Sequence, residues 1–327
     1  MSQAIGSRAK TISTARSQGK KLQFVPILGR SYEQPPYELL RPETLAFVQV
    51  TEINEGGSVP ELQVENKLEV RIFLMDGQEL VGAKQNRILN TDVLVPAKTT
   101  LKIPVSCVEQ GRWHHNSSSF SSGKSASHRT RSAKLARVHE NLKTSGTHDA
   151  NQGAVWSEVA ESLKQSGAAS PTSALSDAYA KREADLGEFR RSLNLPTEAV
   201  GVAVFHGGKF QGLDLFDRHS TLQYFWESLV DGYAIDLLEA PVDPSQPASD
   251  EGQVIRSVLD RCIGGKWEGF NPPGEGKEWR MDDSDLAAAS LIWNDEVVVH
   301  LQVFPKVQTG DGTVAPYKPR IRRRYGK

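Results

Sequence analysis

Between Leu22 and Trp113 apolar residues recur largely at every second position and are interrupted by turn signals. A stretch with that period buries a face only as β-sheet. Residues 22–28 read as a short strand, and Pro35-Pro36 mark a turn. Residues 44–54 alternate and are rich in β-branched side chains; Glu55-Gly56-Gly57 turns them back through Leu62-Gln63-Val64. Residues 68–75 form another strand, closed by Asp76-Gly77, a hairpin signal. Glu79 begins the return arm, and residues 91–95 and 99–105 flank a Pro96-Ala97-Lys98 turn. The expectation for 22–113 is a β-meander or sandwich-like, mainly antiparallel sheet.

The period changes after Trp113. His114 and the serines that follow predict a long loop, with the stretch from Ser117 to Ser127 available to a protein partner. Helices are expected at 129–142, 151–164 and 173–193, where Leu135, Val138 and Leu142, then Val155, Trp156, Val159 and Leu163, fall at helical spacing. The last third returns to strands at 199–205, 210–215, 279–281, 287–293 and 297–304, with helices at 221–238 and 254–263 and a Pro/Ser/Asp loop at 241–251. The class is α+β: a β-rich part at 22–113, a helical part at 128–195 and a mixed part at 199–305, taken together as one compact domain over 22–318.

Composition narrows the function classes. Formal net charge is −1, so the molecule as a whole offers nucleic acid no strong field. Two cysteines are too few for a disulfide framework and suit a reducing, cytoplasmic setting. No run of apolar residues is long enough for a membrane span of ~20 residues. Residues 1–21, rich in Ser, Gly, Lys and Arg, read as a disordered tail, and residues 319–327 as a basic tail. No HExxH or CxxC pattern supports a metal at His114 and His115, so no metal is expected there; the cofactor is left unknown.

Two motifs break the rule of the strands that precede them: Gly82-Ala83-Lys84-Gln85-Asn86-Arg87 and Cys107-Val108-Glu109-Gln110-Gly111-Arg112-Trp113. Polar groups at a strand end are costly to bury without partners, so such clusters mark either a site or a brace. Gln85, Asn86 and Arg87 can hold a planar edge and a phosphate, or simply fasten a tight turn. Glu109 is a candidate general base or a counter-ion, and Glu79 a second candidate acid. Arg112 can bind phosphate and Trp113 can stack on a base or cap the core. Cys107 reads as a small buried hydrophobe rather than a nucleophile. Arg129, Arg131, Lys134 and Arg137 read as a solvated basic face, with Arg131 as an alternative lid contact. Asp214 and Asp217 read as caps of the helix that follows, and His300 as a satisfied core histidine.

The two motifs, in this order and about a strand pair apart, resemble the ARG and Rhodanese-Phosphatase-superfamily Associated Protein domain family, which is prokaryotic and uncharacterised. Asn151-Gln152-Gly153 before Val155-Trp156, the hairpin at 201–216, the Trp226 helix and Val298-Val299-His300-Leu301 before Phe304 fall where that family's features are expected. Gln78 departs from the pattern, which has an acid there, and leaves Glu79 to carry an acidic role alone. The resemblance implies a context rather than a reaction: an ADP-ribose or NAD-derived nucleotide ligand, bound or processed, in a stress or defence setting. The alternative is a non-catalytic sensor or scaffold. A cleft beside Glu109 and Arg112 would favour an enzyme, and full burial of a Glu109–arginine pair a structural network.

Overall fold

Six strands of the first third close on themselves. The computed structural model describes residues 1–54, 56–242, 250–308 and 314–315. The basic tail expected at 319–327, and residues 243–249 of the loop expected at 241–251, lie outside the described residues. The barrel runs β10 (Thr99–Cys107), β5 (Glu61–Asn66), β4 (Val48–Thr51), β11 (Phe120–Ser125), β7 (Gln78–Gly82) and β8 (Arg87–Leu89), and β8 pairs back onto β10. Its interior holds Val48, Val50, Leu62, Val64, Leu80, Leu89, Ile103, Val105 and Phe120, the alternate residues that period two sends to one face. Beside it lies a small sheet of β3 (Tyr37–Leu39), β6 (Arg71–Leu74) and β9 (Val93–Val95), with β3 parallel to β6.

The second body is an eight-stranded antiparallel sheet. Its order is β1 (Ile12–Thr14), β2 (Leu22–Gly29), β12 (Ala199–His206), β13 (Lys209–Phe216), β17 (Val297–Pro305), β16 (Leu286–Trp293), β15 (Lys277–Asp282) and β14 (Trp267–Phe270). Both faces are covered, which is why β12 is buried along its whole length. One face presents Phe24, Val202, Val204, Phe216, Val299 and Phe304 to α2 (His128–Ser145), α3 (Gln152–Ser166), α4 (Leu175–Arg191) and α5 (His219–Leu237). The other presents Val25, Ile27, Ala203, Phe205, Leu301 and Val303 to α1 (Ser2–Ala9) and α6 (Glu251–Gly264). The α+β class is therefore as read, but β2 lies outside the barrel: it pairs with β1 on one side and, on the other, with β12 from the last third of the chain.

Four expectations are corrected. The first third is a closed barrel with a satellite sheet, because β10 pairs with β5 and β8 while its chain neighbour β9 pairs with β6. The partner loop expected from Ser117 to Ser127 is mostly strand β11, with Phe120 and Ser125 buried in the barrel wall. The tail expected at 1–21 contains α1 and β1: Ala4 and Ile5 pack on α6, and the buried guanidinium of Arg8 donates to the carbonyls of Arg30, Phe216 and Asp217. The basic start of α2 is not a solvated face, since Arg129, Arg131 and Lys134 are all buried. Among the described residues no helix is long and apolar enough to cross a membrane.

The packing of α1 is directly testable. Replacing Ile5, which is 1% exposed, by alanine should destabilise the protein by ~2–5 kcal/mol, as for other buried aliphatic truncations. Urea denaturation measures this, and an unchanged midpoint would mean that the segment does not contribute to the core.

Candidate functional site

The two motifs meet at one end of the barrel. The first spans the end of β7 and the turn into β8; the second spans the end of β10 and the turn beyond it. Arg87 and Cys107 are register partners, so the turns lie side by side. Glycine is required in both. Gly82 has φ +139°, and a Cβ there would stand 2.5 Å from the Ser119 carbonyl oxygen. At Gly111 a Cβ would stand 2.9 Å from the Thr172 Cα, while the Gly111 amide donates to the Thr172 carbonyl at 2.8 Å.

Asn86 is the hub of the cluster. Its backbone N–H donates to Glu109 Oε2 at 3.1 Å, its Oδ1 accepts from Arg112 Nη2 at 3.0 Å, and its Nδ2 donates to Glu79 Oε1 at 3.4 Å. Arg112 Nη2 also reaches Glu109 Oε2 at 2.6 Å, and its Nη1 donates to the Ala83 carbonyl at 2.5 Å. Glu109 Oε1 accepts from the Thr172 hydroxyl at 3.1 Å. Both Glu109 oxygens are thus engaged, and the residue is 7% exposed. Burial alone would raise its pKa, but Arg112 and the Asn86 amide outweigh that and hold the carboxyl below its ordinary range. For Glu79 burial prevails over the opposing pull of Lys124 and Asn86 and pushes the carboxyl up to about 7.

Arg87 differs from Arg112. It is fully buried, and Nη1 donates to Gln85 Oε1 at 2.5 Å. Nε and Nη2 have no hydrogen-bond partner among the described residues. Gln85 Nε2 in turn donates to the Glu109 carbonyl at 3.0 Å, so the amide that orients Arg87 is itself fixed. The guanidinium lies 5.6 Å from the centre of the Trp113 ring, which Lys84 also approaches at 5.3 Å. Trp113 is 46% exposed. Gln85, Asn86, Arg87, Glu79, Glu109, Arg112 and Trp113 are therefore brought together, and Arg112 is committed to the protein rather than available to a phosphate.

Arg131 is not among them. Both of its Nη atoms bind the Asp214 carboxylate, and Nη2 also donates to Gln302 Oε1 at 3.2 Å. This belongs to a second cluster, which the sequence reading missed. His300 places Nδ1 2.9 Å from Asp92 Oδ2 and Nε2 3.3 Å from Asp214 Oδ1. Lys134 pairs with Asp76, whose other oxygen accepts from Gln302 Nε2 at 2.7 Å. Tyr233 donates to Asp214 Oδ2 at 3.1 Å. Two carboxylates on two ring nitrogens require the imidazolium, the one form that donates from both. Burial opposes that charge, yet Asp92 and Asp214 prevail and lift His300 to about 9. Asp214 and Asp217 do not cap α5, whose N-cap is Arg218 without a side-chain bond; Asp217 instead binds Arg218 and the Tyr37 hydroxyl. The available signal was a charged residue inside an apolar strand, as in Leu213-Asp214-Leu215 and Val299-His300-Leu301.

The model of the ARG and Rhodanese-Phosphatase-superfamily-associated Protein domain matches residues 12–304. No curated protein and no solved structure matches the chain.

Two outcomes follow from the geometry. Gly82→Ala should destabilise the barrel end by ~1–3 kcal/mol through backbone strain alone, more if the Ser119 segment is displaced; thermal unfolding checks it. His300 has its pKa raised on folding, so the stability it contributes is complete below pH ~6.5, its unfolded value, and is lost as pH rises through about 9. Denaturation midpoints should fall between pH 7 and 9 in the wild type, and fall less in a His300→Gln variant that starts from lower stability. Parallel pH profiles of the two proteins would contradict this assignment.

Proposed function

We propose that this chain, which belongs to the ARG and Rhodanese-Phosphatase-superfamily-associated Protein domain family, is a non-catalytic binding protein for an anionic, nucleotide-type ligand, with ADP-ribose and NAD-derived compounds as the first class to test. The observation that carries this reading is Arg87. A buried guanidinium with two unpartnered nitrogens is costly to maintain, and its planar fork matches a phosphate or carboxylate two oxygens at a time. Trp113, set over the same guanidinium and half in solvent, offers a face for a base or nicotinamide ring. The choice of ligand class rests on the family resemblance; the geometry supports an anion beside an aromatic face.

Binding is preferred to catalysis because of the carboxylates. A general acid or base has to reach a substrate proton. Glu109 is closed in by Arg112, Asn86 and Thr172, and Glu79 is buried against Asn86. One observation favours the hydrolytic reading instead: a Glu79 carboxyl raised to about 7 has the acidity of a general acid at neutral pH. Turnover of an ADP-ribosyl or phosphoester substrate that disappears in Glu79→Gln would replace the binding reading by that one.

Thermal shift against ADP-ribose, NAD and nucleotide mono- and diphosphates tests the proposal. A ligand at ~100 times its Kd adds ~2.7 kcal/mol, which is several degrees for most domains. The shift should vanish in Arg87→Met. The same variant should be as stable as the wild type or more so without ligand, since a buried guanidinium with two unpartnered nitrogens is replaced by an apolar chain of similar length. No shift with any of these ligands, or an Arg87→Met protein that is strongly destabilised, would assign Arg87 to bracing the barrel.

A further inference from the structure

We propose that the cleft between the barrel, the α2–α3 connection and the β14–β15 hairpin is a second ligand site, for a neutral, hydroxyl-bearing ring, in which His148 Nδ1 accepts a hydrogen bond from a ligand hydroxyl. The cleft measures about 580 Å3 and shares no lining residue with the two motifs. That volume is within the range of small-molecule sites.

His148 is held as a presented histidine is held. Its Nε2 lies 2.6 Å from Glu278 Oε2, and Glu278 Oε1 accepts from Arg280 Nε at 2.5 Å. Arg280 is fully buried and reaches the Leu135 carbonyl with Nη1. Burial alone would raise the Glu278 carboxyl, but Arg280 and His148 outweigh it and keep it ionised well below the ordinary range. An ionised carboxylate only accepts, so Nε2 carries a ring proton, and in the neutral ring the lone pair then sits on Nδ1. No hydrogen bond to Nδ1 occurs among the described residues. The backbone is fixed as well: Asn90 Nδ2 donates to the His148 carbonyl at 2.9 Å, and Asn90 Oδ1 accepts from the Ser106 hydroxyl at 2.9 Å. Barrel, helix and outer hairpin thus converge on one imidazole, the arrangement by which buried carboxylates orient functional histidines.

The rest of the cleft selects the chemistry. Lys102 on the barrel wall is paired with Glu61 at 3.4 Å, and Asp149 adjoins His148. With the His148 ring neutral, the two acids Glu61 and Asp149 outnumber Lys102, so the field there disfavours a phosphate. Pro60, Pro104, Pro272 and Pro273 supply rigid apolar walls suited to the C–H face of a sugar ring. Among the described residues no three His, Cys, Asp or Glu side chains converge to hold a metal. A lone-pair acceptor between apolar walls fits a free sugar or the ribose of a nucleoside.

Long-range 1H–15N NMR of the full chain tests this, with the His148 ring signals assigned by their loss in His148→Gln. The wild type should show the Nε2–H tautomer. Ribose, glucose or adenosine should shift the His148 signals saturably, and His148→Gln should weaken the effective ligand roughly tenfold, the worth of one hydrogen bond. Response to glucose as well as ribose would describe a general sugar site; response to ribose and adenosine alone, a ribosyl site. The Nδ1–H tautomer, no response to the three ring compounds, or a response confined to inorganic phosphate or Zn2+ would overturn the proposal. Arg87→Met should leave the His148 response unchanged, so this site stands or falls apart from the barrel end.

Discussion

The imidazolium of His300 between Asp92 and Asp214 is the constraint on which the relative placement of the parts depends. Asp92 comes from the segment before β9, Asp214 from β13 and His300 from β17. Arg131 and Lys134, from α2, extend the network to Asp76 at the end of β6 and to Gln302. The satellite sheet, the first long helix and the main sheet therefore share one set of buried ion pairs. Removing one partner of such a pair leaves a buried charge, at ~3–5 kcal/mol. A slip of one residue in β13 or β17 would turn Asp214 or His300 to the opposite face, so the network also fixes register. Phe216 stacks on the His300 ring at 4.5 Å and keeps the imidazole in the plane that serves both acids.

The barrel end uses polar groups differently. Asn86 ties β7, β8 and the turn after β10 to one another through its amide and its backbone. Thr172 and Ala174 then dock the start of α4 onto that turn, through the Gly111 amide and the bridge with Glu109. A chain that runs from barrel to helical layer and back is thus anchored where it leaves and where it returns. This accounts for the glycines and for Glu109 and Arg112 of the second motif, without any ligand. What it does not account for is the pair of unpartnered nitrogens on Arg87.

How much of this was legible depended on distance along the chain. The last three strands read from their apolar runs coincide closely with β15, β16 and β17, and α5 follows from Leu222, Phe225, Trp226, Leu229, Val230 and Tyr233. These signals are local. The two motifs were legible as a convergence for the same reason, since polar clusters at strand ends stand out against their own neighbours. β11 was not, because Ser121, Ser122 and Gly123 have the composition of a loop and become a strand only through pairing with Val81 and Leu80. Nor was the burial of Arg131 and Lys134: a helix with three basic residues in its first turns reads as solvated unless Asp76 and Asp214, 58 and 83 residues away, are known to face it. α1 was hidden by composition too, since Arg8 suggests solvent until the carbonyls of Arg30 and Phe216 are brought to it.

Charge matching separates the roles of these groups more clearly than burial does. Around His300, three basic side chains (Arg131, Lys134, His300) face three acidic ones (Asp76, Asp92, Asp214), every one of them inside the fold. A matched set of that kind has no capacity left for a ligand, and it serves to orient the parts it joins. At the barrel end Arg112 is matched by Glu109, whereas Arg87 has no ion pair among the described residues: its guanidinium meets the Gln85 amide and the Trp113 ring, and the Glu52 carboxylate attracts it from a longer distance. Arg8 is also buried outside any ion pair among the described residues, but three backbone carbonyls take up its donors. Arg87 keeps two nitrogens without a hydrogen-bond partner beside a tryptophan that is half in solvent. An anion from outside the chain is the group that those two nitrogens would bind.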